Sequence, residues 1–240
     1  MDVSFIEQDY SRYTQTDHEV WRKLYERRMG ELESQACRAY LQGIQTLQIY
    51  ADRVPQLADI NARLGPVTGW KSMAVPGYIP AEKFFSCLSQ RKFPTTITVR
   101  PPEQLDYLPE PDIFHDVFGH VPMHADPIFG DFLQRYGQVA LEASGSQQVT
   151  ELQRLFWFTV EFGLMREDGR LKLYGSGLIS SPGEGRHCLE SDEVQRVDFN
   201  LGKVIAQDFD IDHYQPILFV VDEFQQLYDA LDEYRRDFMH

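Results

Sequence analysis

Apolar side chains return three and four residues apart through the first part of this chain, the interval at which a helix keeps one face on a core. Thr16 and Glu19 have capping-box spacing, and Trp21, Leu24, Tyr25, Met29 and Leu32 follow on one face, so a long first helix is predicted. A second runs through Cys37, Tyr40, Leu41, Ile44 and Leu47, and a third from near Pro55 to a stop at Gly65-Pro66. Pro80 opens a short helix holding Phe84 and Phe85, and the alternation TTITVR predicts a strand over residues 95–100. The proline-rich PPEQLDYLPEP, residues 101–111, reads as a loop. Asp126-Pro127 caps a helix with Ile128, Phe129, Phe132, Leu133 and Tyr136 on its inner side, and a weakly structured SGSQQ precedes the next. Strands are predicted at residues 171–174 and Ile217–Val221, after which Asp222 opens a final helix through Phe224, Leu227, Tyr228 and Leu231. The expected architecture is mostly α with a few short β-strands.

At 240 residues and 42% hydrophobic content, the chain suits one sizeable core and is short for two domains. Sixteen Phe and twelve Tyr argue for a densely packed interior. The formal net charge of -14 repels phosphate backbones and anionic membrane surfaces, so nucleic acid and lipid headgroups are excluded as partners. Cys37, Cys87 and Cys188 have no CxxC spacing, which leaves neither a disulfide framework nor a thiolate zinc site and reads as cytoplasmic. No targeting segment is read in MDVSFIEQDY, and no apolar run approaches the ~20 residues of a membrane span. Nucleotide-cradling GxGxxG and GxxxxGK[ST] loops, a GxSxG elbow and internal repeats are all absent.

Candidate chemistry begins at PDIFHDVFGHVP. On an ideal helix, at ~100° per residue, His115 and His120 would point ~140° apart, so they converge only if the helix ends between them. Gly119 is read as that stop, with Pro122 preventing resumption, His115 in the last turn and His120 on the returning loop. Two ordinary side chains in a chain with seven His would look the same. HVPMH offers a rival pair, His120 and His124, but Pro122 breaks the helix that would align them. Further on, LFWFTVEFGLM, residues 155–165, is apolar except at Thr159 and Glu161 and reads as a helix buried all round. An isolated carboxylate there is unfavourable by several kcal/mol unless something compensates it. An Arg partner or a proton would serve. So would a metal: two His and one carboxylate form the facial donor set of Fe(II) oxygenases, with coordination positions left open. Zinc accepts the same donors, although the HExxH of hydrolytic zinc sites is missing.

PEPDIFHDVFGHVP, WFTVEFGL, YGSGLISS and YQPILFVVDEF resemble, in order and interval, segments of the pterin-dependent aromatic amino acid hydroxylases, from about Trp70 onward. The short chain is most similar to bacterial members acting on phenylalanine, lacking the N-terminal regulatory domain and C-terminal oligomerisation helix of animal members. The resemblance implies a single catalytic domain of that type, with residues 1–69 as helical scaffold and 70–240 as the iron, pterin and substrate portion. It implies Fe(II) on His115, His120 and Glu161, a tetrahydropterin cosubstrate and O2, with no catalytic residue beyond the metal ligands. The implied reaction is hydroxylation of L-phenylalanine to L-tyrosine, with tryptophan or another ring position of phenylalanine as the alternative. Arg100 matches the position that holds the substrate carboxylate, Trp157 and Phe162 those that shape its ring pocket, and Gly177 and Ser180 those along its backbone. Phe84 matches the ring on which the pterin stacks, Gly77 and Ile79 its neighbouring loop, and Asp116 the acid that reaches it through water. Two positions depart. Phe156 replaces the usual tyrosine and removes a hydroxyl near the iron, and Leu108 replaces a threonine of animal members. A non-catalytic aromatic amino acid binder and a zinc hydrolase remain as rivals, and the missing C-terminal heptad pattern argues for a monomer.

Overall fold

The computed structural model describes residues 5–106, 110–211 and 213–239, so Leu108 lies outside the described residues. Helix α1 (Gln15–Gln35) begins earlier than predicted. Thr14 and Asp17 form the reciprocal capping box, the Asp17 carboxylate accepting the Thr14 N–H at 2.7 Å. Helix α2 (Arg38–Leu47) follows, and α3 (Leu57–Thr68) passes through the predicted stop at Gly65-Pro66 to end on left-handed Gly69 (φ 77°). The clash that ends most helices before proline involves the preceding side chain, and Gly65 has none.

Strand β1 (Lys71–Val75) was not foreseen, and it pairs in parallel with β2 (Lys92–Thr96) across the short helix α4 (Ala81–Ser89). The strand expected at residues 95–100 therefore lies earlier. Beyond Thr96 the backbone finds other partners: Tyr13 donates to the Ile97 carbonyl, Ile113 to that of Thr98, and the Arg100 N–H goes to Asp112. Helix α5 (Pro127–Glu142) is capped by Asp126 as predicted, and α6 (Ser146–Phe156) already includes most of SGSQQ.

The expected buried helix over residues 155–165 is three things in turn. Helix α6 widens into a π turn at Trp157–Glu161, breaks at Gly163, and resumes as strand β3 (Leu164–Glu167). β3 turns back into β4 (Arg170–Leu173) through Asp168 and Gly169, both at positive φ, a type I′ signal that the DG dipeptide carried. Helices α7 (Ser176–Ser180) and α8 (Pro182–Glu190), strand β5 (Gln195–Asp198) and helix α9 (Leu201–Ala206) lead to β6 (Ile217–Val221), which falls where predicted. The second sheet has the order β4-β3-β6-β5, antiparallel only between β3 and β4. Helix α10 (Gln225–Phe238) starts after Asp222, because the Gln226 side chain accepts the N–H groups of Asp222 and Glu223.

The first two helices back the segment around His115. Trp21 meets Phe114 edge to face at 5.4 Å, Phe114 stacks on Phe118 at 4.5 Å, and the Tyr40 hydroxyl donates to the Phe118 carbonyl. Each such buried ring contributes roughly 1.5–3 kcal/mol. On α2, Gly43 lies so close to the segment that a Cβ would stand 2.1 Å from the Pro122 carbonyl oxygen. Alanine normally favours a helix over glycine by about 1 kcal/mol. Here Gly43→Ala is expected to destabilise by about 1–3 kcal/mol through overpacking, measured by urea unfolding. Unchanged or raised stability would contradict this packing.

Candidate metal centre and its cavity

Asp112 positions the first histidine. Its carboxylate accepts the His115 N–H at 3.0 Å, as a helix cap does, and is held by Arg100 Nε at 2.8 Å and a terminal nitrogen at 2.9 Å. From Phe114 to His120 the helix does not stop. It widens into a π turn, the Val121 N–H reaching back to the Asp116 carbonyl, and a tighter 3-10 turn, Val121–Ala125, follows. In an i→i+5 ladder each residue turns less than in an α-helix, so residues five apart are offset by only about 50° and both histidine rings share a face. The reading of Gly119 as a helix end is thus corrected. Gly119 is not left-handed, and its small size serves contact: a Cβ there would lie 3.1 Å from the Ser176 carbonyl oxygen.

Glu161 closes the second π turn, where the Phe162 N–H bonds the Trp157 carbonyl at 2.8 Å. His120 Nε2 lies 3.2 Å from His115 Nε2 and 3.2 Å from Glu161 Oε1, and His115 Nε2 lies 3.7 Å from Glu161 Oε2. Donors about 2.1 Å from one ion stand about 3.0 Å apart at right angles and about 3.4 Å apart in a tetrahedron, so the spacing suits a single ion. Two imidazoles and one carboxylate are the donor set of non-haem Fe(II). His124 stays outside the group: its fully buried ring stacks on Trp70 at 4.8 Å, and burial and nearby His120 hold it well below the ordinary histidine range.

Helix α7 orients two of the three donors. The Ser176 hydroxyl donates to Glu161 Oε2 at 2.6 Å. The Ser180 hydroxyl spends its proton on the Ser176 carbonyl at 2.8 Å, so at 3.0 Å it can only accept from His115 Nδ1. That fixes the tautomer and turns the Nε2 lone pair toward the centre. Burial and the charge of His120 push His115 down. Burial also opposes the charged form of His120, but the Glu161 carboxylate more than offsets it and raises His120. Glu161 feels the same burial penalty, yet His120, His115 and the Ser176 hydroxyl bring it down to about 2.

The group opens on a cavity of about 490 Å³, largely apolar, lined by Phe84, Phe85, Phe93, Phe156, Trp157 and Phe209. Gly77, Ile79, Asp116, His115, His120 and Glu161 line it too. Asp116 is buried, accepts both the N–H and the hydroxyl of Thr96 at 2.7 Å, and is raised by burial. Arg100, Phe162, Gly177 and Ser180 are not among the lining residues of this cavity. Arg100 is engaged with Asp112, Phe162 packs against Trp157 at 4.6 Å and beside Gly177, and Ser180 supports His115. Phe156 meets Phe84 at 5.8 Å and Tyr136 at 5.3 Å; the Tyr136 hydroxyl is committed to the Leu152 carbonyl and does not replace the missing one.

Several contributors were not singled out from the sequence. Asp112 carried a signal, a cap residue three before His115, and Ser176 lay inside a stretch already noted. Phe209, stacked on Trp157 at 4.5 Å, comes from an irregular segment after α9 and carried none.

With Glu161 ionised and His120 raised above the ordinary histidine value, a metal must displace a proton from His120 at any pH below that raised value. Affinity should therefore rise with pH up to the raised value of His120 and then level off. About one proton per metal should be released below that value, measured by calorimetric titration in buffers of different ionisation enthalpy. Binding independent of both pH and buffer would contradict the assignment of charge.

Residues 7–240 match the family described as biopterin-dependent aromatic amino acid hydroxylase. The phenylalanine-4-hydroxylase of Chromobacterium violaceum is 43% identical over 94% of this chain and 76% of its own length. That of Ralstonia nicotianae is 44% identical over 94% of this chain and 72% of its own. A crystal structure of the C. violaceum enzyme with bound iron(III) and oxidised cofactor 7,8-dihydrobiopterin superposes with a TM-score of 0.92, at 42% identity, covering 98% of this chain and 87% of that one. A match along nearly the whole chain, joined to the two histidines and one glutamate converging beneath an aromatic cavity, places this chain in the biopterin-dependent aromatic amino acid hydroxylase family.

Proposed function

We propose that this protein is an iron(II)- and tetrahydropterin-dependent monooxygenase that converts L-phenylalanine to L-tyrosine with O2. The observation that carries the reading is a two-His, one-carboxylate group at the floor of a ring-lined cavity, in a chain of this family. When bound, iron(II) and the tetrahydropterin supply the electrons and the site at which dioxygen is activated for transfer of one oxygen atom to the aromatic ring. His115, His120 and Glu161 hold the iron.

The chain's other residues bind, orient and exclude water. Phe84 offers its face to the pterin, Gly77 and Ile79 edge that place, and Asp116, fixed by Thr96, faces it. Trp157 and Phe162 shape the slot for the amino acid's ring, with Gly177 and Ser180 along its backbone. Asp112 holds Arg100 in one orientation, so the substrate carboxylate meets a fixed planar cation. Residues 1–69 act as scaffold and 70–240 carry the site, within one domain. Three buried, unpaired cysteines fit the reducing cytoplasm, and the net charge of -14 keeps copies apart and fits a monomer. Among the described residues no helix is long and apolar enough to cross a membrane.

Iron(II)-loaded protein mixed with a tetrahydropterin, oxygen and equal phenylalanine, tyrosine and tryptophan should yield tyrosine formed from phenylalanine, identified with isotope-labelled substrate by mass spectrometry. His115→Ala should abolish it. Hydroxytryptophan or a ring isomer of tyrosine as the main product would overturn the substrate assignment. Because no hydroxyl stands at Phe156, Phe156→Tyr is expected to lower the ratio of pterin oxidised to amino acid hydroxylated toward one. An unchanged ratio would show that the ring alone suffices there.

A further inference from the structure

Arg28 lies on the buried stripe of α1 with Val20, Trp21, Leu24 and Leu32, and none of its surface is exposed. A guanidinium is found in such a place only when its donors are used. Its Nε donates to the Ile179 carbonyl at 2.6 Å and one terminal nitrogen to that of Leu178 at 2.9 Å, while the other bonds Glu31 at 2.9 Å and Gln35 at 3.1 Å. Both carbonyls belong to the last turn of α7. The Leu178 carbonyl would find its helical donor four residues on, where Pro182 has no N–H. Extended Ser181 (φ -109°, ψ 115°) breaks the ladder that would serve Ile179. A cation at a helix C-terminus is also favourable for the helix dipole.

Five residues cannot hold a helix by themselves. Yet this short one carries both hydroxyls that aim the centre, Ser176 on Glu161 and Ser180 on His115. The next helix is shaped around the same group: a Cβ at Gly185 would stand 2.4 Å from an Arg28 terminal nitrogen. We infer that Arg28 is a positioning residue for the metal centre, clamping the end of α7 so that Ser176 and Ser180 hold Glu161 and His115 in ligating orientation. The inference rests on the reading of His115, His120 and Glu161 as the metal ligands.

The test titrates Co(II) into the metal-free full-length protein and follows its d–d absorption. Wild type is compared with Arg28→Lys, which keeps the charge but cannot fork to two carbonyls, and with neutral Arg28→Gln. Both changes are repeated in a Ser176→Ala/Ser180→Ala background. In the wild-type background the Arg28 variants should weaken Co(II) binding about tenfold, toward the low end for outer-shell partners, and shift the absorption band. In the serine-free background they should change affinity by less than about twofold, because the groups through which Arg28 acts are gone. Urea unfolding should meanwhile register the same loss of stability in both backgrounds.

A residue that only fills the core would instead leave Co(II) affinity and band unchanged, or weaken binding equally in the two backgrounds; either result overturns the proposal. So does failure of both variants to fold, which would make Arg28 a requirement of the fold as a whole. Co(II) uptake by His115→Ala as tight as by wild type would instead remove the ligand assignment itself.

Discussion

Two helical turns whose hydrogen bonds close five residues back, at Phe114–His120 and Trp157–Glu161, are the constraint on which the site depends. Regular α-helix would turn His115 and His120 ~140° apart. Widening brings the rings onto one face, and the same device at the end of α6 delivers Glu161 to them. A π turn is rare and less favourable than α-helix, so its surroundings must impose it. Here Asp112 caps its start, Tyr40 holds the Phe118 carbonyl, and the backbones of α2 and α7 press so close that only glycine fits at Gly43 and is favoured at Gly119.

Charge is arranged on the same principle, each buried ion having a partner within hydrogen-bond reach. Arg100 faces Asp112, Arg28 faces Glu31 and the end of α7, and His120 faces Glu161. Removing one member of such a pair leaves the other stranded in a low dielectric, which is strongly destabilising. The helical N-terminal part thus meets the site's backbone at several points, among them aromatic packing and the Tyr40 hydroxyl behind the histidine turn, Gly43 against Pro122, and the Arg28 guanidinium on the end of α7.

Much of this was legible in the residues themselves. Helices α1, α2, α5 and α10 announced themselves by spacing, α5 also by its Asp126 cap, and β6 by its apolar run, whereas the caps expected at Thr16 and Asp222 were misplaced. The convergence of His115, His120 and Glu161 followed from donor chemistry and from a carboxylate with no polar surroundings, although the reason given for the five-residue interval was wrong: Gly119 permits contact where a helix stop was expected. Sequence periodicity assumes a constant turn, so a local change of pitch is invisible to it. The same assumption joined α6, the π turn and β3 into one helix. Strands β1 and β2 were missed or shifted because their pairing is long-range, and nothing local singled out Arg28 because the two carbonyls it binds lie some 150 residues away. The DG turn between β3 and β4 and the Asp112 cap before His115 were local signals left unread.

The most direct test of the whole account is anomalous diffraction at the iron edge from crystals of the iron(II)-loaded protein. A single strong peak bounded by His115 Nε2, His120 Nε2 and Glu161, with both histidines still on one unbroken wide turn, is what the account predicts. Iron bound elsewhere, a ligand contributed by His124, or a helix that ends at Gly119 would contradict it.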